Sequence, residues 1–570
     1  MNDPSPKAGR SQKSTVKLAL TGAAGNLALA SLGTLSLLGG MLLALVLALL
    51  FIVESPSPAA GLTIAVLITI IFNLVIFFLS PFLMDLTQRW LYKTRWITLD
   101  ELRRQSPEAA QTLMRVCRKK KLKIPRLGII DDQNPTAFTY GSLPSTARLV
   151  VSQGLFTYLD DDEVATVYAH ELGHIVHWDF AVMTLAATLV QIMYLVYITA
   201  LRLQTRGSEK SKDAAQIAAI AAYVFYLIGT YLQLYLSRVR EYYADHFAAE
   251  VTGNPNGLSR ALVKIAYGVV EEGQRSPEPS RLMEGTRALG IYDHRSAATT
   301  GNAYRIASSP EKIGRVFLWD LFNPWGGWLE LQSTHPLTGK RVRSLTNYAE
   351  QLGLSTEFNF AQVVRSGKQL NKQKLYGNFA VDWFAYFAPF LGILIGLLLA
   401  VILPATTSNS FLFIAYPLIG FGFGILIKTQ FMFPEGSLAD TTILELMSDP
   451  YASPLRGRPV SLRGDLIGRG DAGNRVGSDL KLQDKTGMIF THYSSRFGPI
   501  GNFLFGVSQV KSLIGSEVRA TGWFRRSIMP LLDLRDLKAP ERTVKSYHRF
   551  WQWLCGGGAI IIGLGLMFFG

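Results

Sequence analysis

The chain is poor in cysteine, with two in 570 residues, Cys117 and Cys555, far apart and outside any C-x-x-C pair. That scarcity excludes a disulfide-stapled scaffold and a cysteine-built metal site, and a reducing compartment fits best. Histidine is scarce too, at eight residues, so any metal chemistry must come from a few identifiable positions. Charged residues make up only 17%, against about 25% in ordinary soluble domains. They are missing from whole stretches. Acidic residues are outnumbered 42 to 57, which leaves a net charge of +15. In a soluble protein that excess points to nucleic acid. In a chain with long uncharged runs, Lys and Arg retained on the inner side of a membrane explain it better.

What fills the gaps is apolar. Hydrophobic residues reach 49% and mean hydropathy is +0.20, the profile of a membrane protein with sizeable water-exposed parts. Residues 1–17 are polar and carry Lys7, Arg10, Lys13 and Lys17, an expected cytoplasmic N-terminus. Segment 18–84 then holds two expected spans, 18–53 and 60–84, each long enough for the roughly 20 residues a bilayer requires, the first with spare length for tilt or a surface-lying start. The first run is too long for the apolar region of a cleaved signal peptide. Residues 85–180 are polar and basic, two more spans fall at 181–203 and 214–236, and 246–377 reads as a second, mostly helical cytoplasmic segment. A helical hairpin follows at 378–433, and 549–570 is a candidate terminal span. The expected fold class is therefore an α-helical multi-pass membrane protein of about seven spans, with a cytoplasmic α+β domain and a C-terminal β domain. The Gly/Ser/Pro-rich stretch 273–310 reads as loop.

Residues 160–179 read DDDEVATVYAHELGHIVHWD. His170, Glu171 and His174 spell H-E-x-x-H, which on a helix sets two imidazoles one turn apart on one face. That spacing lets both reach one zinc ion at about 2.0–2.1 Å, with Glu171 beside them. Asp160 and Glu163 fit a capping box at the helix start. A lone match to so short a pattern does not decide the matter. The topology supplies a second part: span 214–236 returns to the membrane face that span 181–203 left, and it delivers Glu241 and Asp245 there. Glu241 is then a third ligand, with a fourth position left for water as catalytic zinc requires. Asp245, one turn on, is placed to fix the tautomer of a ligand histidine, His170. The plainer alternative makes Glu241 and Asp245 surface charges paired with Arg238 and Arg240. His177 and His246 stand at the wrong spacing for ligands.

Two strand-like runs, 136–140 and 147–152, joined through Gly141-Ser142-Leu143-Pro144, read as a hairpin before the helix. Region 435–548 contains five short β-rich runs, 459–467, 479–483, 488–493, 517–524 and 531–537, with an apolar connector between the third and fourth. This pattern resembles an OB-type barrel. It lacks a row of aromatic stacking platforms, so no nucleic-acid partner is expected, and a structural or protein-contact role fits better.

The H-E-L-G-H motif with Asp179, followed by Ser237-Arg238-Val239-Arg240-Glu241-Tyr242 and Ala244-Asp245, resembles the HtpX-type membrane zinc metallopeptidases, distant relatives of the CaaX prenyl proteases. The resemblance runs over about 134–345. It includes Asn134, Ala137 and Phe138 ahead of the helix, and Thr334-His335-Pro336 with Arg341 after it. It implies a gluzincin-type peptidase domain over 85–377 and one Zn2+ per chain. It also implies that the Asn134, Ala137 and Phe138 segment pairs with substrate backbone, and that His335 helps stabilise the oxyanion. A packing or capping role for His335 competes with that, and Tyr242 or Tyr243 could donate instead. Segments 378–433, 435–548 and 549–570 fall outside the resemblance.

The implied reaction is peptide hydrolysis by zinc-activated water, with Glu171 as general base and then acid. The expected setting is the cytoplasmic face of the cell membrane, and the expected partners are the lipid bilayer and protein substrates, chiefly misfolded membrane proteins in quality control under stress. Two alternatives stand beside it: a processing protease for a defined C-terminal or lipidated substrate, and a membrane adaptor or chaperone with a structural zinc site.

Overall fold

In the computed structural model, residues 18–19, 27–52, 56–206, 209–275, 310–403, 411–470, 477–527 and 529–569 are described. The uncharged runs form helices, in which each backbone N–H and C=O is satisfied within its own segment, as hydrocarbon requires of a chain that does not close into a barrel. Helices α1 (Leu27–Ile52) and α2 (Pro56–Trp90) come first. Among the described residues six helices are long and apolar enough to cross a membrane: Val66–Trp90, Asp179–Arg202, Lys212–Thr252, Lys372–Ile402, Leu412–Met432 and His548–Phe568. The count of seven rests on α1, whose described apolar stretch is the shorter Ser31–Leu45. Of the two uses expected for the spare length of the first run, tilt or a start outside the bilayer, the second fits Leu18, which is buried in the core around α6, where its carbonyl lies 3.2 Å from His246 Nε2. Composition cannot distinguish an apolar residue bound for a protein core from one bound for lipid.

Between α2 and the third long helix lies a mixed layer. Strand β1 (Arg95–Ile97), α3 (Leu99–Gln105), α4 (Pro107–Lys120), β2 (Arg126–Ile130), β3 (Ala137–Tyr140), β4 (Arg148–Ser152) and α5 (Gln153–Tyr158) follow in order. The four strands form one sheet in the order β1-β2-β4-β3. The expected hairpin is β3 antiparallel to β4, with Phe138 opposite Val150. This leaves β3 at the sheet edge, against helix α6 (Asp161–Val176), which carries the H-E-x-x-H motif. The Glu163 carboxylate accepts the Asp160 N–H at 3.0 Å and is itself held by Arg260 and Lys264. Those bonds fix the start of α6.

The chain turns at Trp178, in the left-handed region with φ 60°, and continues as α7 (Asp179–Arg206). Helix α8 (Glu209–Thr252) returns without interruption for 44 residues. At 1.5 Å per residue it is about 66 Å long, roughly twice a bilayer's hydrocarbon core. Its last turns pack against α6 and carry Glu241 and Asp245 into the domain core. Gly173 of α6 makes the crossing possible, since a Cβ there would stand 3.0 Å from the Ala244 Cα. Helix α9 (Pro255–Arg275) packs against α6. Of the expected loop 273–310, residues 276–309 lie outside the described residues.

The C-terminal β region closes into a barrel. Strands β6 (Arg458–Arg469), β7 (Leu480–Asp484), β8 (Gly487–His492), β9 (Glu517–Arg525) and β10 (Leu531–Lys538) pair in the cycle β6-β7-β8-β10-β9-β6. That order, with a helix Gly498–Ser508 between β8 and β9, is the OB arrangement. Short strands β5 (Ala439–Asp440) and β11 (Thr543–Lys545) extend it. Gly464 lets long β6 bend across the cycle, because a Cβ there would collide with the Gln483 carbonyl at 2.1 Å. Beneath the barrel, helices Lys372–Ile402, Leu412–Met432 and His548–Phe569 pack together. Gly392 and Gly420 bring the first two within backbone contact, as small residues do between membrane helices.

Candidate metal centre

The motif's spacing and the α6–α8 crossing bring His170, His174 and Glu241 together. His170 Nε2 and His174 Nε2 are 3.3 Å apart, and each lies 3.6 Å from a Glu241 carboxylate oxygen. Two ligands about 2.0–2.1 Å from a tetrahedral zinc stand about 3.3–3.4 Å apart, so the pair matches such an ion's span. Each opposite ring nitrogen faces a carboxylate, in hydrogen-bond geometry at His174 and as a close ion-pair approach at His170. His170 Nδ1 lies 3.0 Å from Asp245 Oδ1, and His174 Nδ1 lies 2.6 Å from Asp179 Oδ2. A carboxylate on each Nδ1 holds the proton there and leaves the Nε2 lone pairs pointing at the shared space.

The second carboxylate partner, Asp179, is a residue whose role sequence reasoning missed. It opens α7, where the chain turns through Trp178, and also pairs with Arg240 of α8, whose guanidinium further donates to the His177 carbonyl at 2.8 Å. Arg341 was missed in the same way. It is 1% exposed on helix Thr338–Gln351, grips both Asp245 oxygens at 2.9 and 2.7 Å, and lies 3.3 Å from Glu241. Helical spacing within one segment could have hinted at neither, since both roles arise between segments.

Burial alone disfavours protonation of His170 and His174, but the surrounding carboxylates outweigh it. His170 is raised, and His174 is pushed up to about 9. The same negative potential favours a bound cation. Burial also raises the Glu171 carboxyl above its ordinary value. Both Glu171 oxygens are buried without a hydrogen bond of ordinary geometry, Thr139 of β3 offering only a weak one. A buried carboxylate left this way is costly unless a further partner occupies the site. The donor set, its spacing and this unsatisfied carboxylate fit a transition metal with an open position.

Among the other expected site residues, His335 Nε2 stands 3.5 Å from Glu241 Oε1, with its Nδ1 2.9 Å from the Thr334 hydroxyl. The loop carrying it is tied to α8, where Ser237 donates to the Thr334 carbonyl and Arg238 to the Glu330 and Ser333 carbonyls. Ala137 and Phe138 lie on edge strand β3 and are fully buried. Asn134 precedes them, its backbone and side-chain N–H groups both donating to Asp132 Oδ1 at 2.8 Å. Tyr243 meets His177 edge-on at 5.6 Å, and Tyr242 is buried. His177 and His246 pack among aromatic rings rather than with the ligand nitrogens.

A buried group of metal-type ligands lies beside helices long and apolar enough to cross a membrane, and comparison with known proteins gives the class, a membrane metalloprotease. The sequence profile of peptidase family M48 matches residues 103–349. A "Protease HtpX homolog" from Aquifex aeolicus is 30% identical over 302 residues, covering 52% of this chain and 86% of that protein. One from Methanothermobacter thermautotrophicus is 29% identical over 245 residues, 43% of this chain and 89% of that protein. One from Acidiphilium cryptum is 38% identical over 160 residues, 28% of this chain and 56% of that protein. No solved structure matches the chain significantly. The chain belongs to peptidase family M48 and is of HtpX type.

Proposed function

We propose that the protein is a zinc-dependent endopeptidase acting at the cytoplasmic membrane face, with His170, His174 and Glu241 as ligands and Glu171 as general base. The observation that carries this reading is the convergence of the two imidazoles and Glu241 beside a buried, unsatisfied Glu171. When bound, the metal supplies Lewis-acid polarisation of the scissile carbonyl and an acidified water. Asp245 and Asp179 hold both imidazoles in the ligating tautomer. Arg341 keeps Asp245 and Glu241 ionised and oriented. Glu171, held in a dry site with its proton affinity raised, accepts the water's proton and returns it to the leaving amine. Strand β3 pairs with β4 on one side and is the sheet edge among the described residues, so its other side is the candidate line along which an extended substrate bonds and is oriented past Glu171. His335, beside the ligand Glu241, is the candidate donor to the developing oxyanion.

The natural substrates in this reading are unfolded or damaged membrane proteins. A peptide edge that recognises backbone rather than side chains suits a quality-control protease better than a processing enzyme with one defined target. The test is Glu171→Gln, purified in detergent and compared with wild type for zinc content and for cleavage of an unfolded protein. We expect full zinc occupancy and a loss of activity of about 10²–10⁴-fold, the range of a general base. Wild-type activity in that variant refutes the assignment.

A further inference from the structure

The helix Gly498–Ser508, which joins β8 to β9, has one face that nothing in the described chain covers. Phe497, Ile500, Phe503, Leu504 and Val507 fall at helical spacings of three and four, and each is more than half exposed. The opposite face is well used. Gly498, Gly501 and Phe505 are buried, and Phe505 stacks on Tyr493 with ring centroids 4.0 Å apart. Four large apolar side chains in one exposed stripe on an eleven-residue helix, with Phe497 at its N-cap, are costly in water and mark a surface that meets something apolar.

Its position identifies the occupant. The start of this helix rests on the first turn of the terminal membrane helix. Trp551 Nε1 donates to the Ser495 carbonyl at 2.8 Å, and its ring lies 3.2 Å from where a Gly498 Cβ would stand. Gly498 adopts φ +60°, a conformation that suits glycine at this contact. From that turn the terminal helix presents Phe550, Trp553 and Leu554 as exposed apolar groups. The connector stripe therefore continues the apolar surface of the terminal helix at its aromatic, water-facing end, where Trp side chains mark a bilayer interface. Exposed Arg496 and Lys511 flank the stripe at either end, placed to meet lipid phosphates. We infer that the connector helix of the barrel is an interfacial membrane anchor, lying in the bilayer surface with Phe503 and Leu504 inserted among the acyl chains. The barrel is thereby held flat against the membrane, on the side from which the terminal helix enters.

This inference rests on the membrane reading of His548–Phe569, so the test carries a control for that reading. Cys555 is exposed on the terminal helix, whereas Cys117 is buried with its thiol pushed up to about 11 by desolvation, so Cys555 reacts with a thiol dye first. Three full-length proteins are labelled with an environment-sensitive fluorophore: wild type at Cys555, Cys555→Ala with Phe503→Cys, and Cys555→Ala with Lys485→Cys. Lys485 is exposed in the β7–β8 turn, at the end of β8 away from His492, whose carbonyl receives His548 Nε2 at 2.9 Å. Each is reconstituted into phosphatidylcholine and phosphatidylglycerol vesicles with and without doxyl-labelled lipid, and is also titrated with iodide. We expect doxyl lipid to quench the labels at 555 and 503 several-fold more than the label at 485, which iodide alone quenches. A label at 503 that behaves like the one at 485 overturns the proposal. So does a label at 503 shielded from both quenchers, since that means protein covers the face. An unquenched label at 555 removes the membrane reading itself and the anchor with it.

Discussion

Asp179 is the most informative single position, because one carboxylate serves two buried groups at once. Its Oδ2 lies 2.6 Å from His174 Nδ1, while Oδ1 pairs with Arg240, and the residue is 7% exposed. In Asp179→Asn the side chain keeps its shape but offers one acceptor and one NH2 group in place of two acceptors. If the amide oxygen stays on His174, the NH2 abuts Arg240. If it turns, the NH2 faces the His174 N–H. Either way a buried donor loses its acceptor, costing about 1–3 kcal/mol, and more if the orphan is Arg240. Weakening the support of a ligand histidine lowers metal affinity about 10–100-fold, which is about 1.4–2.8 kcal/mol. Zinc Kd is measured on purified full-length protein by competition with a colorimetric chelator. Thermal unfolding with EDTA reads the stability of the metal-free fold separately. Arg240→Gln should lower stability with a smaller effect on zinc, since it leaves His174 its carboxylate. A folded Asp179→Asn with an unchanged zinc Kd refutes the claim that Asp179 orients the ligand.

Glu241→Ala should lose zinc as well as cleavage, and full metal occupancy by elemental analysis removes Glu241 from the ligand set. Gly173→Val should separate α6 from α8, because even a Cβ there stands 3.0 Å from the Ala244 backbone; retained zinc and activity contradict a close-packed crossing. Lys264→Met strips one of two cations from Glu163, which is fully buried at the start of α6, and should cost about 1–3 kcal/mol in thermal unfolding. Burial lowers the Lys264 pKa, but Asp160 and Glu163 overcome it and leave it raised above 10.5. Its contribution is therefore complete below that value and lost as pH rises through the folded pKa. The wild-type advantage over Lys264→Met should shrink in strongly alkaline buffer, and an advantage that grows there contradicts the ion pair.

What could be read from the sequence depended on how far apart the cooperating residues lie. His170, Glu171 and His174 declare themselves because one helical turn fixes their relation, and Asp160 with Glu163 does the same for the helix start. Glu241 was legible for a different reason: an apolar hairpin can only return to the face it left. The five barrel strands were legible because alternation is local, and their observed limits depart from expectation by two residues at most. Asp179 and Arg341 stood in the quoted motifs, but their tasks were not legible. Nothing local states that a residue past the end of α6 turns back onto His174, or that an arginine about a hundred residues downstream grips Asp245. For Leu18 the sequence leaves both uses open, since an apolar residue next to an apolar run carries no mark of where it will be buried.

The same limit applies to the barrel, which reads in sequence as a separable module and in three dimensions is not one. Its core continues into helix Pro310–Phe322 through Val316 and Trp319, both about 1% exposed. Trp319 Nε1 donates to the Ala452 carbonyl at 2.9 Å, Asn323 donates to the Pro450 and Ala452 carbonyls, and fully buried Arg526 of the barrel lies over the Trp319 ring. That same helix receives Gly339 N–H on Asp320 at 3.0 Å, at the start of the helix that carries Arg341. The loop bearing His335 lies between these two elements and is bonded to α8. One wall of the metal centre is thus built on a helix whose other face is barrel core. Removing the barrel would bare Trp319 and leave Asn323 without its buried acceptors. The β domain is therefore part of the frame that holds Arg341 and His335 against Glu241, whatever else it touches at the membrane.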